Sequence, residues 1–225
     1  MTYRLYAHPF SSYCWKAMIA LHEKQLPYAI AMIAEPEIMA ELRQLWPIGK
    51  FPVLIDDGAP IIEATTIIEY LDLRHYETAP LIPANATDAL DVRFMDRIFD
   101  NHVSSPVQAI VAEYLLDPAA PDQPRIAAAR SKLDIIYAWL ETRLAGRDWA
   151  CNPGFSLADC AAGPALFYAD WAHPIPEAFG NLRAYRARLN ARPSIARCIE
   201  AARPYRQLFP PAPSIALSSA RLLAV

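Results

Sequence analysis

An α/β domain followed by a purely helical one is the architecture expected of this chain. Strand and helix patterns alternate through positions 1–77, every later periodic segment is helical, and a stretch of small residues and prolines at 78–87 separates the two regimes. Tyr3 to Ala7 reads as a short strand. Cys14, Ala17, Met18 and Leu21 then fall at i, i+3, i+4 and i+7 in a helix from Tyr13 to Lys24. Tyr28 to Ile33 reads as strand and Pro36 to Leu45 as helix. Phe51 to Ile55 is an apolar strand that turns at Asp57-Gly58 into Pro60 to Ile62, and a helix from Ala64 buries Ile67, Ile68 and Leu71. The order is βαβαββα. Past the linker, a domain at 88–210 holds the clearest helical periodicity, Leu133, Ile136, Tyr137, Leu140 and Leu144, with Leu182, Tyr185 and Leu189 in a later helix. Ser156-Leu157-Ala158-Asp159 fits a capping box that starts a buried helix, with Phe155 and Cys160 placed to staple it. Positions 211–225 read as a loose tail.

Composition narrows the function classes. The 21 basic and 24 acidic residues give a net charge of −3 and are scattered, which disfavours a nucleic-acid partner. No apolar run approaches the ~20 residues that cross a bilayer, and no signal peptide is expected, so the chain reads as cytoplasmic. Its four cysteines form no C-x-x-C pair, which points to free thiols and to no metal site. The 21 prolines punctuate element boundaries.

The most informative segment is Ser11-Ser12-Tyr13-Cys14-Trp15-Lys16, between the first strand and the first helix. It sets two hydroxyls and a thiol at a helix N-terminus, whose unpaired N–H groups and partial positive charge favour a small anion. The same residues also suit a plain N-cap.

This hexapeptide resembles the serine motif of the zeta and tau classes of cytosolic glutathione S-transferases. Lys50-Phe51-Pro52-Val53-Leu54 followed by Glu63 resembles the glutathione cradle of that superfamily, and Gly154-Phe155-Ser156-Leu157-Ala158-Asp159 its folding motif. The resemblance spans nearly the whole chain. It implies a thioredoxin-like N-terminal domain, an all-α C-terminal domain, a homodimer, and glutathione as co-substrate. It also implies a cis bond before Pro52, with the Phe51 backbone pairing to the cysteinyl part of glutathione, Lys50 meeting the glycine carboxylate, and Glu63 the γ-glutamyl ammonium. Most relatives carry Ser after that glutamate. This chain has Ala64, leaving the Ala64 N–H and the hydroxyl of Thr65 for the γ-glutamyl carboxylate.

By the same resemblance Ser11 is the catalytic hydroxyl and Ser12 the cap and backbone donor, although a shift of one residue exchanges them. A thiol with pKa about 8.5 is only slightly ionised at neutral pH, and a serine hydroxyl with helix N–H groups lowers that value by about two units, so no general base is required. A small hydrophobic electrophile is expected between the domains, near Phe10, His102, Val103, Ser105 and Pro106. Arg97 and Asp100 read as surface or helix-packing ion pairs, Tyr114, Tyr168 and Trp171 as core or rim aromatics, and His173, before Pro174, as a loop residue. Two other readings remain open: a reductase using Cys14, whose periodicity turns it toward the core, and a non-catalytic module on this fold.

Overall fold

The structure, a computed structural model, describes residues 3–152 and 154–210; the tail expected at 211–225 lies outside them. Four strands, β1 (Tyr3–Ala7), β2 (Tyr28–Met32), β3 (Val53–Asp56) and β4 (Ala59–Ile62), form one sheet in the order β2-β1-β3-β4. β1 runs parallel to β2 and antiparallel to β3, with Leu5 opposite both Ile30 and Leu54, and β3 pairs antiparallel with β4. The β1–β2 crossover is helix α1 (Ser12–Glu23), as a parallel pair demands. Alternation along β1 covers both faces of the sheet. Leu5 and Ala7 join the large core, whereas Tyr6 packs with Ala31, Leu42 and Val53 under α2 (Pro36–Leu45).

The second strand pair begins later than its sequence suggests: Phe51 and Pro52 precede β3, and their peptide bond is cis. The Asp57-Gly58 turn has positive φ at both residues, the requirement of a tight hairpin. α3 (Ala64–Arg74) follows the hairpin directly.

Helices α4 (Ala86–Ile98), α5 (Ser105–Leu116), α6 (Gln123–Arg143), α7 (Leu157–Ala172), α8 (Gly180–Ala191) and α9 (Pro193–Ala202) complete the described chain, with a 3₁₀ turn at Arg203–Leu208. A π-helical stretch, Phe99–Ser104, joins α4 to α5 without a break. α7 is apolar all round and sits at the centre, where Gly163 lets Ile195 and Ile19 approach: a Cβ there would lie 3.0 Å and 3.5 Å from their Cδ1 atoms. Its start is held by Asp159, which accepts from the Ser156 N–H (2.9 Å), the Ser156 hydroxyl (3.0 Å), the Ala150 N–H (2.9 Å) and the Tyr185 hydroxyl (2.6 Å). Phe155 stands at the adjacent surface beside Trp149 and under the Arg192 guanidinium.

Because α3 covers one side of α1 while α7 and α9 cover the other, all eight residues from Cys14 to Leu21 are buried. The expected single apolar stripe is thus replaced by burial on every side, and Lys16 is carried inside with its neighbours.

Candidate functional site

β1 ends at a turn that delivers Ser11 to the helix start. The Ser11 N–H donates to the His8 carbonyl (3.0 Å), the Trp15 indole N–H to the Pro9 carbonyl (2.5 Å), and the Tyr168 hydroxyl to the Phe10 carbonyl (2.9 Å). Ser11 has extended backbone angles, and its Oγ accepts the Cys14 N–H at 3.4 Å. It is therefore the N-cap, and Ser12 is the first helical residue, which reverses the expected assignment of the cap. Capping uses a lone pair of Ser11 rather than its O–H, which keeps its capacity to donate and has the Cys14 thiol as a neighbouring partner.

Facing this turn, Gly49 at φ +69° bends the chain into Lys50, Phe51 and Pro52. Glu63, at φ +72°, enters α3 in a conformation that costs a non-glycine residue energy, a kind of strain that gathers at functional sites. The side chain of Glu63 does not cap α3, so the first N–H groups of that helix face outward.

Two clefts meet here. One, of about 500 Å³, is lined by Lys50, Phe51, Pro52, Glu63, Ala64, Thr65 and Thr66 from the sheet-bearing region and by Arg97, Asp100 and Asn101 from the helical region. The other, of about 630 Å³, is lined by Phe10, Ser11, Ser12, Ser105, Val107, Gln108, Val111, Tyr168 and Phe209. Tyr13, Lys50 and Phe51 border both. Burial and the nearby Asp100 raise the Tyr13 phenol above its ordinary value, so it remains a donor through neutral pH.

Of the five residues expected around an electrophile, Phe10 and Ser105 line the second cleft. Val103 and Pro106 are buried and His102 is exposed, and none of the three lines this cleft. A π-helical turn lies just before the residues that do line it. It carries more residues per turn than an α-helix and rotates the face that follows, bringing Ser105, Gln108 and Val111 to the cleft. Val103 then points the opposite way.

Thr65 lines the first cleft, and its hydroxyl is engaged within the protein. Its Oγ1 accepts from Lys16 Nζ (2.7 Å) and Arg97 Nη2 (2.7 Å) and donates to Asp96 (3.2 Å). These belong to a buried network: Lys16 Nζ also lies 2.8 Å from Asp100 Oδ2, and Arg97 Nη2 contacts Asp96 (2.5 Å) and Asp100 (2.8 Å). Arg97 and Asp100 thus make the helix-packing alternative of the two expected pairings, tying the segment at 97–100 to α1 and α3 at the cleft. Burial raises the Asp100 carboxyl, against the pull of Lys16. The signals for this network were Lys16 inside an apolar helix and Asp96 and Asp100 at i, i+4.

Cys14 is 0% exposed, and burial pushes its thiol up to about 11. Tyr114 and Trp171 are buried, Tyr168 is buried with one edge on the second cleft, and His173 caps α7 while contacting Asp134 at 2.6 Å. Among the described residues, no group of three His, Cys, Asp or Glu is arranged to hold a metal ion, and no helix is long and apolar enough to cross a membrane.

Comparison with known proteins gives a consistent result. Residues 5–79 match the glutathione S-transferase N-terminal domain family and residues 123–188 the glutathione S-transferase C-terminal domain family. FtsZ-localized protein A of Caulobacter vibrioides is 28% identical over 199 residues, covering 84% of this chain and 87% of that protein. A probable glutathione S-transferase MSR-1 of Nicotiana plumbaginifolia is 32% identical over 166 residues, covering 71% and 70%. Among solved structures, a glutathione S-transferase of Methylobacillus flagellatus with glutathione bound superposes with a TM-score of 0.78 at 28% identity, covering 88% of this chain and 98% of that one.

Proposed function

The chain belongs to the glutathione S-transferase family, and from that premise we propose that it activates glutathione for attack on a small hydrophobic electrophile. Glutathione lies in the cleft between Lys50 and Glu63, its cysteinyl backbone against Phe51, its glycine carboxylate toward Lys50 and its γ-glutamyl ammonium toward Glu63. Its sulfur then reaches the start of α1, where the Ser11 O–H donates to the thiolate and the helix N-terminus favours the anion. The electrophile occupies the second cleft, whose apolar wall includes Phe10, Val107, Val111 and Phe209.

One observation carries this reading: Ser11 lines the apolar cleft beside Tyr13, Lys50 and Phe51, which border both clefts, while the nearest thiol, Cys14, is buried and protonated. The burial of Cys14 weighs against a reductase that uses it. The test is turnover of an aryl halide with glutathione, wild type against Ser11→Ala, across pH. A Ser11→Ala enzyme with unchanged rate at neutral pH removes the hydroxyl from the mechanism.

A homodimer and a cytoplasmic location accompany the proposal. The dimer is supported by an apolar strip on the helical half, Leu90 and Phe94 of α4 beside Ile135 and Trp139 of α6, with Phe94 and Trp139 in edge contact. A second reading, a binding module without catalysis, is favoured by the likeness to FtsZ-localized protein A and by Ala64. Calorimetry separates the two, since a module binds no glutathione at millimolar concentration.

A further inference from the structure

We propose that Arg97, reaching across from α4, takes the γ-glutamyl α-carboxylate that the missing hydroxyl at position 64 leaves without a side-chain donor. This rests on the reading of the cleft as a glutathione site and assigns a binding residue within it.

The argument begins with what is already occupied. Thr65, the nearest hydroxyl to position 64, is fully engaged by Lys16, Arg97 and Asp96 and has no donor to spare. Ala64 supplies only its backbone N–H at the uncapped start of α3. Arg97 is different. One edge of its guanidinium is spent: Nε donates to Asp96 (3.0 Å), and Nη2 to Asp100 and Thr65. Among the described residues, Nη1 makes no hydrogen bond, the side chain is 50% exposed, and it lines the same cleft as Ala64 and Glu63.

Holding one edge of a guanidinium against buried carboxylates removes the freedom that an exposed arginine loses on binding, so its other edge meets a carboxylate at lower entropic cost. The charges within the cluster balance, with Lys16 and Arg97 against Asp96 and Asp100, so an arriving carboxylate meets no uncompensated anion. Glu63, on the same cleft, is left for the ammonium. An α-amino acid head group, cationic on one side and anionic on the other, is the chemistry that fits this pair.

The test compares two tripeptides by calorimetry on the full chain: glutathione and γ-aminobutyryl-cysteinyl-glycine, which lacks only that carboxylate. Wild type is expected to prefer glutathione by about thirtyfold or more, as for a charge-assisted contact, and Arg97→Gln to shrink the preference to about threefold or less while the analogue binds as before. An undiminished preference in Arg97→Gln overturns the assignment, as does a wild type that binds both peptides equally. If wild type binds neither peptide, the glutathione reading itself fails. Should Arg97→Gln not fold, the wild-type complex with glutathione decides: Nη1 within about 3.2 Å of the carboxylate supports the proposal, and a separation beyond hydrogen-bond reach refutes it.

Discussion

Lys16 Nζ stands 2.5 Å from a carboxylate oxygen of Asp96, and both side chains are 1% exposed. A lysine so deep in α1 is tolerable only because two aspartates and a threonine meet it. Lys16→Met keeps the aliphatic stem but leaves Asp96 and Asp100 sharing Arg97 alone. Breaking a buried pair from one side is expected to cost about 3–5 kcal/mol, read as a fall in the urea midpoint at unchanged slope. Adding Asp96→Leu to that variant is expected to recover much of the loss, because an apolar pair leaves fewer charges stranded. No recovery would show that the remaining carboxylate, Asp100, dominates the cost.

The capping role of Ser11 and its proposed role as thiolate donor can be separated by a single substitution. Ser11→Asp caps α1 as well as serine does, so stability should change by less than about 0.5 kcal/mol, whereas Ser11→Ala should lose about 1 kcal/mol. An ionised carboxylate accepts and cannot donate, and it repels a thiolate. Turnover with glutathione at neutral pH is therefore expected to fall by about a hundredfold or more in Ser11→Asp, matching a thiol returned to its free pKa. Thermal melts and a pH–rate profile on the same preparations check both halves, and an active Ser11→Asp enzyme refutes the donor role.

The four cysteines are all buried, and burial raises the thiols of Cys14 and Cys151 to about 11 and about 12. At pH 8 the native protein should thus resist iodoacetamide, with labelling of all four thiols only on unfolding. The linkage sign follows from the direction of the shift. A thiol whose folded pKa lies above its unfolded one binds more protons in the native state over the interval between them, so its contribution is intact below pH ~8.5 and is lost as pH rises to about 11. Cys14→Ala should remove part of that alkaline loss, measured as the difference in melting temperature between pH 8 and pH 10.5. Identical alkaline slopes in wild type and variant would contradict the burial of this thiol.

Local patterning carried most of the architecture. β1 and α1 were legible because strand alternation and helical spacing lie within a dozen residues, and the start of α7 because Ser156 and Asp159 close on each other across three. The cleft was legible only on its N-terminal side. Lys50, Phe51, Pro52 and Glu63 occupy one short stretch with recognisable turn chemistry, and they do line one cleft. The opposite wall depends on helix phase. His102, Val103 and Pro106 were expected there on family position alone, and a π-helical turn, which changes the helix phase along this wall, has no compositional signature. The burial of Lys16 and the engagement of Thr65 were hidden for another reason: both depend on Asp96, Arg97 and Asp100, some thirty to eighty residues away. Contacts between elements so distant leave no mark on either segment alone.

The start of α3 offers a gain of function. Ala64 is 5% exposed and lines the cleft, and Ala64→Ser adds one oxygen at the first residue of the helix, beside N–H groups that already favour an anion. A neutral hydroxyl donating to a carboxylate should tighten glutathione by about two- to tenfold in a calorimetric titration. Thr65→Val tests the neighbouring position in the opposite sense. It keeps the volume but withdraws the acceptor of Lys16 and Arg97 and the donor to Asp96, so stability should fall by about 1–3 kcal/mol with no tightening of the ligand. The two hydroxyl positions then separate cleanly, residue 64 moving affinity and residue 65 moving stability. Glutathione binding that strengthens in Thr65→Val, or that is indifferent to Ala64→Ser, would place the carboxylate elsewhere in the cleft.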